Sequence, residues 1–133
     1  GGICVPLSLS ATESELTHYL EDAKISLLIS DNEGCKKLKK LSDDLNIPLE
    51  DEKNLQGDED KALPEIKKER KAMILFTSGT TSKPKGVVST HTNIEAQISS
   101  LVDAWEWHKD DFIPLILPLH HIHGIINAPS CPL

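Results

Sequence analysis

The chain has 133 residues, of which 38% are hydrophobic, 26% charged and 4% aromatic, and its formal net charge is −7. That length suits one ordinary domain or part of a larger one, and the acidic balance argues against a nucleic-acid partner, because nucleic-acid binders need basic surfaces. No apolar run approaches the ~20 residues of a membrane span, and neither end resembles a secretion signal.

The first third of the chain predicts a helix, a strand and a second helix. Thr12 and Glu15 have the spacing of a capping box, which opens a helix through Leu16, Tyr19 and Leu20. The run "KISLLIS" (24–30) is typical of a buried strand. A second helix is predicted over 33–45, where apolar residues recur at helical spacing: Cys35, Leu38, Leu41 and Leu45.

Residues 50–71 are mostly charged and are interrupted by Gly57 and Pro64, which is typical of a solvated, partly disordered connector. The chain then divides into an N-terminal segment of helix and strand (1–49), the connector (50–71) and a C-terminal segment (72–133). We expect the last segment to be an incomplete domain.

Strands and helices alternate again after the connector. The runs "AMILF" (72–76) and "GVVST" (86–90) predict short strands, and "FIPLIL" (112–117) favours a third, although Pro114 cannot donate to a ladder. Thr92 and Glu95 predict a second capping box, for a helix with the apolar residues Ile94, Ile98, Leu101, Val102 and Trp105, the last assigned to the core. This alternation predicts an α/β fold with a mostly parallel sheet.

Two features bear on the context of the chain. The cysteines Cys4, Cys35 and Cys131 are odd in number and widely spaced, which indicates a reducing compartment without disulfides. The single methionine is Met73, so we expect the chain to be an internal piece of a longer protein.

The run "FTSGTTSKPKG" (76–86) concentrates hydroxyl groups, glycines and lysines directly after an apolar strand. Free backbone amides in such a loop form a nest that binds anions, and phosphate is the commonest anion in cells. Lys83 and Lys85 add positive charge on either side of Pro84. The spacing is neither that of a Walker A loop nor that of the dinucleotide fingerprint. From the residues alone, a surface hairpin without a ligand stays open as the alternative.

This run resembles the phosphate-binding signature of the acyl-adenylate-forming enzymes, whose usual form is Tyr/Phe-Thr-Ser-Gly-Thr-Thr-Gly-x-Pro-Lys-Gly. That superfamily contains acyl-CoA synthetases, luciferases and peptide-synthetase adenylation domains. Here Ser82 stands in place of one glycine. The resemblance implies a catalytic Lys85 and an ATP-phosphate site made of Thr77, Ser78, Gly79, Thr80, Thr81, Ser82, Lys83, Pro84, Lys85 and Gly86.

The run "LPLHHIHG" (117–124) resembles a later motif of the same superfamily, whose histidine or aromatic residue lines the acyl-adenylate pocket. The resemblance implies a catalytic His121 beside the reacting carboxylate, with His121, His123 and Gly124 in the acyl pocket. Together with "STHTNI" and "WEWHKDD", this motif resembles the malonyl-CoA and methylmalonyl-CoA synthetase branch, which includes mitochondrial acyl-CoA synthetases.

The histidines have an alternative interpretation as a metal cluster with Cys131. Adjacent histidines on an extended loop should point to opposite sides, and no fourth ligand stands at zinc-type spacing. The residues therefore predict no metal site, and His120 is assigned a structural role.

The resemblance implies a ligase that uses ATP, Mg²⁺ and coenzyme A to convert malonate or methylmalonate through acyl-AMP into the CoA thioester. It implies a mitochondrial matrix location, with the cytoplasm as the alternative. Malonate's second carboxylate is normally neutralised by arginine, and the sole arginine, Arg70, lies in the connector. We therefore expect the specificity residue elsewhere in the complete protein.

We expect the piece to be inactive by itself, because the family's remaining nucleotide contacts would lie elsewhere. Two alternatives stay open: a fatty or aryl acid–CoA ligase of the same superfamily, and a non-catalytic truncated product.

Overall fold

The computed structural model describes residues 2–57, 62, 64–77 and 83–131. The chain forms two compact units, one of Leu9–Pro64 and one of Gly1–Ser8 with Glu65–Leu133. Helices and strands alternate along it, which gives the α/β organisation that the sequence predicts. No helix in the described ranges is long and apolar enough to cross a membrane.

The unit of residues 9–64 contains helices α1 (Glu13–Asp22) and α2 (Asn32–Leu45) and the parallel strands β1 (Leu28–Ser30) and β2 (Leu49–Asp51). The predicted capping box of α1 is confirmed: Thr12 N donates to Glu15 Oε2 at 2.8 Å, and Glu15 N donates to Thr12 Oγ1 at 3.3 Å. Leucines spaced along these elements supply the buried hydrophobic side chains among the described residues of this unit, namely Leu16, Leu20, Leu28, Leu38 and Leu41.

Strand β1 is shorter than the predicted run 24–30. The backbone amides of Lys24 and Ile25 donate to Glu21 O and Leu20 O, so these residues close the C-terminus of α1 and cannot extend a strand. Lys24 has a positive φ of 51°. Leu28 is buried, whereas Leu27 and Ile29 are exposed, so the prediction of a buried seven-residue strand was wrong.

The charged stretch 50–71 begins in β2, continues through a 3₁₀ turn (Glu52–Asn54) and ends at the first residue of β3 (Lys71–Thr77). Its described residues are exposed apart from Asp51, which is half-buried. Residues 58–61 and 63 lie outside the described ranges, and the three-segment division stays a prediction.

The second unit is organised around an antiparallel hairpin of β3 and β4 (Lys85–Thr90), in which Leu75 lies opposite Val87. Helix α3 (His91–Trp105) follows β4 directly, and a π-helical turn spans His123–Asn127. The three elements share one core, formed by Met73, Leu75 and Ile126 with Ile94, Ile98 and Ile125 packed against it. The predicted strands at 72–76 and 86–90 are confirmed.

The N-cap of helix α3 lies two residues before the predicted one. Thr90 is its cap: Asn93 N donates to Thr90 Oγ1 at 3.2 Å, and Thr90 N donates to Asn93 Oδ1 at 3.0 Å. Glu95, assigned to the box by sequence, instead pairs with Lys68 at 2.8 Å. The Thr92–Glu95 prediction was wrong because β4 ends at Thr90 and the helix begins at the next residue, so Thr92 already lies inside the helix.

The apolar run 112–117 was predicted as a strand and has no strand structure. Phe112 and Ile116 are 98% and 82% exposed, and no described strand pairs with them. Trp105, assigned to the core by its place on the apolar face of α3, is 52% exposed. The strand prediction required a neighbouring strand, and the core prediction required packing that buries the ring of Trp105; neither is present among the described residues.

Candidate active site

The β3–β4 hairpin carries both ends of the predicted phosphate loop. Thr77 ends β3 and pairs with Lys85, the first residue of β4, and Phe76 pairs with Gly86. Thr77 Oγ1 also donates to the carbonyl oxygen of Lys85, at 3.5 Å. The predicted phosphate contacts of Ser78, Gly79, Thr80, Thr81 and Ser82 lie outside the described residues. The hairpin register therefore holds Thr77 and Lys85 side by side at the base of the loop.

Gly86 leaves room for this close pairing. A Cβ at this position would lie 3.0 Å from Ile74 Cγ2 and 3.5 Å from the Phe76 ring, so a side chain would press on two residues of β3. No described glycine has a positive φ, so the requirement at Gly86 is space rather than backbone conformation.

The two lysines of the loop present positive charge to solvent. Lys83 and Lys85 are exposed, and neither ammonium group pairs with a carboxylate among the described residues. The lysines that do pair lie elsewhere: Lys39 with Asp43, Lys40 with Glu13 and Lys68 with Glu95. An anion at the loop would thus meet two cations that have no internal counter-charge within the described ranges.

The histidine-bearing segment turns sharply before the π-helical turn. His121 N donates to Pro118 O at 3.2 Å, and the amides of Gly124 and Ile125 both donate to His121 O at 3.0 Å. A Cβ on Gly124 would lie 2.1 Å from Pro118 O, far inside van der Waals contact. Glycine is required at 124 because the backbone of the turn occupies the space of a side chain.

The rings of His120 and His121 lie together instead of pointing apart. Their centroids are 4.3 Å apart and their planes are inclined at 48°. The expectation of opposite directions was wrong because residues 119–121 form a turn and not an extended loop. Partial burial, and then the neighbouring His121, lower the pKa of His120, which favours a neutral ring at neutral pH. His121 and His123 are exposed.

Packing brings the hairpin and the histidine segment into one unit. Met73 and Leu75 of β3 share a core with Ile125 and Ile126, which directly follow Gly124. Among the described residues, no hydrogen bond or ion pair joins Lys83 or Lys85 to a histidine. The strand that leads into the predicted phosphate loop and the turn that follows the histidines thus pack on the same core, without a direct polar link among the described residues.

The sequence analysis missed one polar residue of this region, Asn127. It is only 4% exposed, its Oδ1 accepts from Gln97 Nε2 at 3.3 Å, and its Nδ2 lies 2.6 Å from His123 Nδ1. The available signal was an asparagine inside the apolar run "GIINA", since a buried amide requires partners.

Metal binding has no support among the described residues. No group of three or more histidine, cysteine, aspartate or glutamate side chains within these ranges could hold a metal ion. Mg²⁺ prefers oxygen ligands, commonly one or two carboxylates together with substrate phosphates. The described residues therefore do not fit a resident Mg²⁺ site.

The comparisons with known proteins agree over the whole chain. The family described as AMP-binding enzyme matches residues 1–133. The mitochondrial malonate–CoA ligase ACSF3 of Xenopus laevis is 42% identical over 144 residues, which cover 100% of this chain and 25% of that protein. The chain spans about a quarter of the length of the curated relatives it matches.

Two solved structures have the same fold. ATP-bound MatB from Rhodopseudomonas palustris superposes with a TM-score of 0.84 at 26% identity, over 98% of this chain and 28% of that one. A malonyl-CoA ligase ternary product complex with methylmalonyl-CoA and AMP bound gives a TM-score of 0.77 at 28% identity, over 98% and 27%.

Proposed function

Because the chain belongs to the family of AMP-binding enzymes, we propose that the complete protein carrying it is an AMP-forming acid–CoA ligase that acts on malonate or methylmalonate. The single observation that carries this proposal is the similarity of the whole of this chain, at 42% identity, to a quarter of a relative named malonate–CoA ligase. Lys85 supports it, because this lysine is exposed beside Thr77 at the base of the hairpin and has no carboxylate partner among the described residues, which suits a phosphate.

In the first half-reaction, a carboxylate oxygen of the acid attacks the α-phosphorus of ATP. The bond from that phosphorus to the pyrophosphate oxygen breaks, and acyl-AMP and pyrophosphate result. The loop Thr77–Gly86 binds the β- and γ-phosphates through its amides and hydroxyls, and Lys85 offsets the charge that develops on the leaving pyrophosphate. Mg²⁺ would enter with ATP as part of the substrate and would offset phosphate charge there, and none of the described residues is assigned to it.

In the second half-reaction, the sulfur of coenzyme A attacks the acyl carbon and the bond to AMP breaks. The proton of the thiol passes to water, and AMP leaves with the oxygen that had linked it to the acyl group. In the first half-reaction His121, exposed at the turn, donates a hydrogen bond to the pentavalent α-phosphate and to the acyl oxygen, while His123 and Gly124 line the acyl pocket.

The location proposed for the complete protein is the mitochondrion. The support is the similarity to the Xenopus laevis relative, whose name describes it as mitochondrial.

The test uses the full-length protein with ATP, coenzyme A and a panel of acids: malonate, methylmalonate, a long-chain fatty acid and an aryl acid. We expect AMP and pyrophosphate to form in equal amounts, with malonate or methylmalonate giving the highest kcat/KM. Release of ADP would contradict adenylation. A preference for the fatty or aryl acid would agree with the proposed ligase reaction but contradict the proposed substrate.

A further inference from the structure

We propose that Asn127 is a positioning residue for His123, which it orients through a hydrogen-bond chain anchored on Gln97 of α3. The inference rests on the proposed function, in which His123 lines the acyl pocket. It adds a role for two residues that lie outside both motifs of the sequence.

The geometry of Asn127 leaves neither end of its amide free. Its oxygen accepts from Gln97 Nε2 at 3.3 Å, and its nitrogen lies 2.6 Å from His123 Nδ1. The side chain is 4% exposed, so loss of either partner would leave a buried polar group unsatisfied. The pairing therefore restrains the His123 ring.

Gln97, the first residue of this series of hydrogen bonds, lies on helix α3, which packs against the core. Ile94 and Ile98 of α3 pack against the core of Met73, Leu75 and Ile126, and Gln97 lies three residues after Ile94 on the adjoining helical surface. Asn127 directly follows Ile126, which is itself part of that core. Both residues that hold His123 thus sit on backbone fixed by buried apolar contacts.

The direction of these hydrogen bonds determines which ring nitrogen of His123 is available to a substrate. Gln97 donates to Asn127 Oδ1, which leaves the amide nitrogen of Asn127 as a donor to His123 Nδ1. A neutral imidazole whose Nδ1 accepts carries its hydrogen on Nε2. His123 is exposed, so Nε2–H is available to donate to an oxygen of a carboxylate or an acyl phosphate.

The spectroscopic test uses the full-length protein labelled with ¹⁵N-histidine, above the titration range of imidazole. The His123 signals are those lost in His123→Gln. We expect the hydrogen on Nε2 in the wild type and on Nδ1 in Asn127→Asp, whose carboxylate can only accept. A wild-type ring with its hydrogen on Nδ1 would overturn the proposal.

The kinetic test compares variants of the same protein. Asn127→Leu should raise KM for the acid roughly tenfold, and Gln97→Met about threefold, while KM for ATP stays unchanged. The matched control is Ser130→Ala, which removes a side-chain hydrogen bond to Ile125 O in the same segment without touching His123. It should leave both KM values unchanged.

Two results separate this inference from the proposed function. If the wild type forms no AMP from any acid, the proposed function fails, and the ¹⁵N signals still decide the orientation of His123. If the wild type is active and Asn127→Leu matches Ser130→Ala in KM and in the His123 signals, the positioning role is wrong. Should Asn127→Leu not fold, the same comparison with Gln97→Met decides.

Discussion

Lys85 offers the most direct test of the phosphate loop at the scale of one residue. It pairs with Thr77 across the hairpin and has no counter-charge among the described residues. Lys85→Ala in the full-length protein should slow formation of acyl-AMP on the order of 10²-fold, and thioester formation from supplied acyl-AMP much less, because pyrophosphate has left by then. Separate measurement of the two half-reactions checks this, with the exposed Lys39→Ala as control. Equal losses in both steps would refute the assignment.

The two adjacent histidines differ in exposure, and their variants should differ in rate. His121 is exposed, whereas His120 is half-buried with a pKa lowered first by burial and then by its neighbour. His121→Ala should reduce kcat by about 10²–10³ without changing KM for ATP, since it removes a donor that acts in the transition state. His120→Ala should do much less. Pyrophosphate-release kinetics measure both variants. A larger effect at His120 would mean that His120, and not His121, is the catalytic histidine of the motif.

Gly124 is tested by adding a single carbon. A Cβ there would lie 2.1 Å from Pro118 O, and backbone cannot move aside as a flexible side chain could. Gly124→Ala in the full-length protein should therefore lower the free energy of unfolding by about 1–3 kcal/mol. Gly57→Ala is the matched control, because nothing lies within 4 Å of its added carbon. Equal stability of the two variants in thermal unfolding would mean that the turn at Pro118 is wrongly placed.

At the scale of an element, the start of α3 distinguishes the observed cap from the one that the sequence suggested. Thr90 exchanges hydrogen bonds with Asn93, whereas Thr92 lies inside the helix. Thr90→Ala should destabilise the helix by about 1 kcal/mol, and Thr92→Ala should change it by less than about 0.5 kcal/mol. Hydrogen exchange of the first-turn amides of α3 measures the difference, and greater loss of protection in Thr92→Ala would restore the sequence prediction.

At the scale of the whole molecule, exposed apolar side chains determine how the 133-residue chain should behave alone. Phe112, Ile116 and Trp105 are 98%, 82% and 52% exposed, and large apolar side chains left in water favour contact with further protein. We expect the isolated chain to unfold without a sharp transition in urea and to form no AMP. Circular dichroism with the full-length protein as reference checks this, and one cooperative transition in the isolated chain would contradict it.

Local sequence determined those features whose cause lies within a few residues. Thr12 and Glu15 form their capping box because both partners are three residues apart, and α2 follows its apolar spacing over Asn32–Leu45. The strands on either side of the loop also follow from their own composition. The ATP, CoA and substrate assignments came from resemblance, and the phosphate contacts predicted for residues 78–82 lie outside the described ranges.

Tertiary structure alone decided those features whose partners are distant along the chain. The run 112–117 has strand composition and no strand, because a strand requires a partner ladder and Pro114 lacks an N–H to donate. The antiparallel pairing of β3 with β4 set the position of Thr90, and with it the start of α3. Asn127 lies near His123 because both belong to one π-helical turn, but its other partner, Gln97, lies thirty residues earlier. A hydrogen bond across that separation exists only once the core has brought the two elements together.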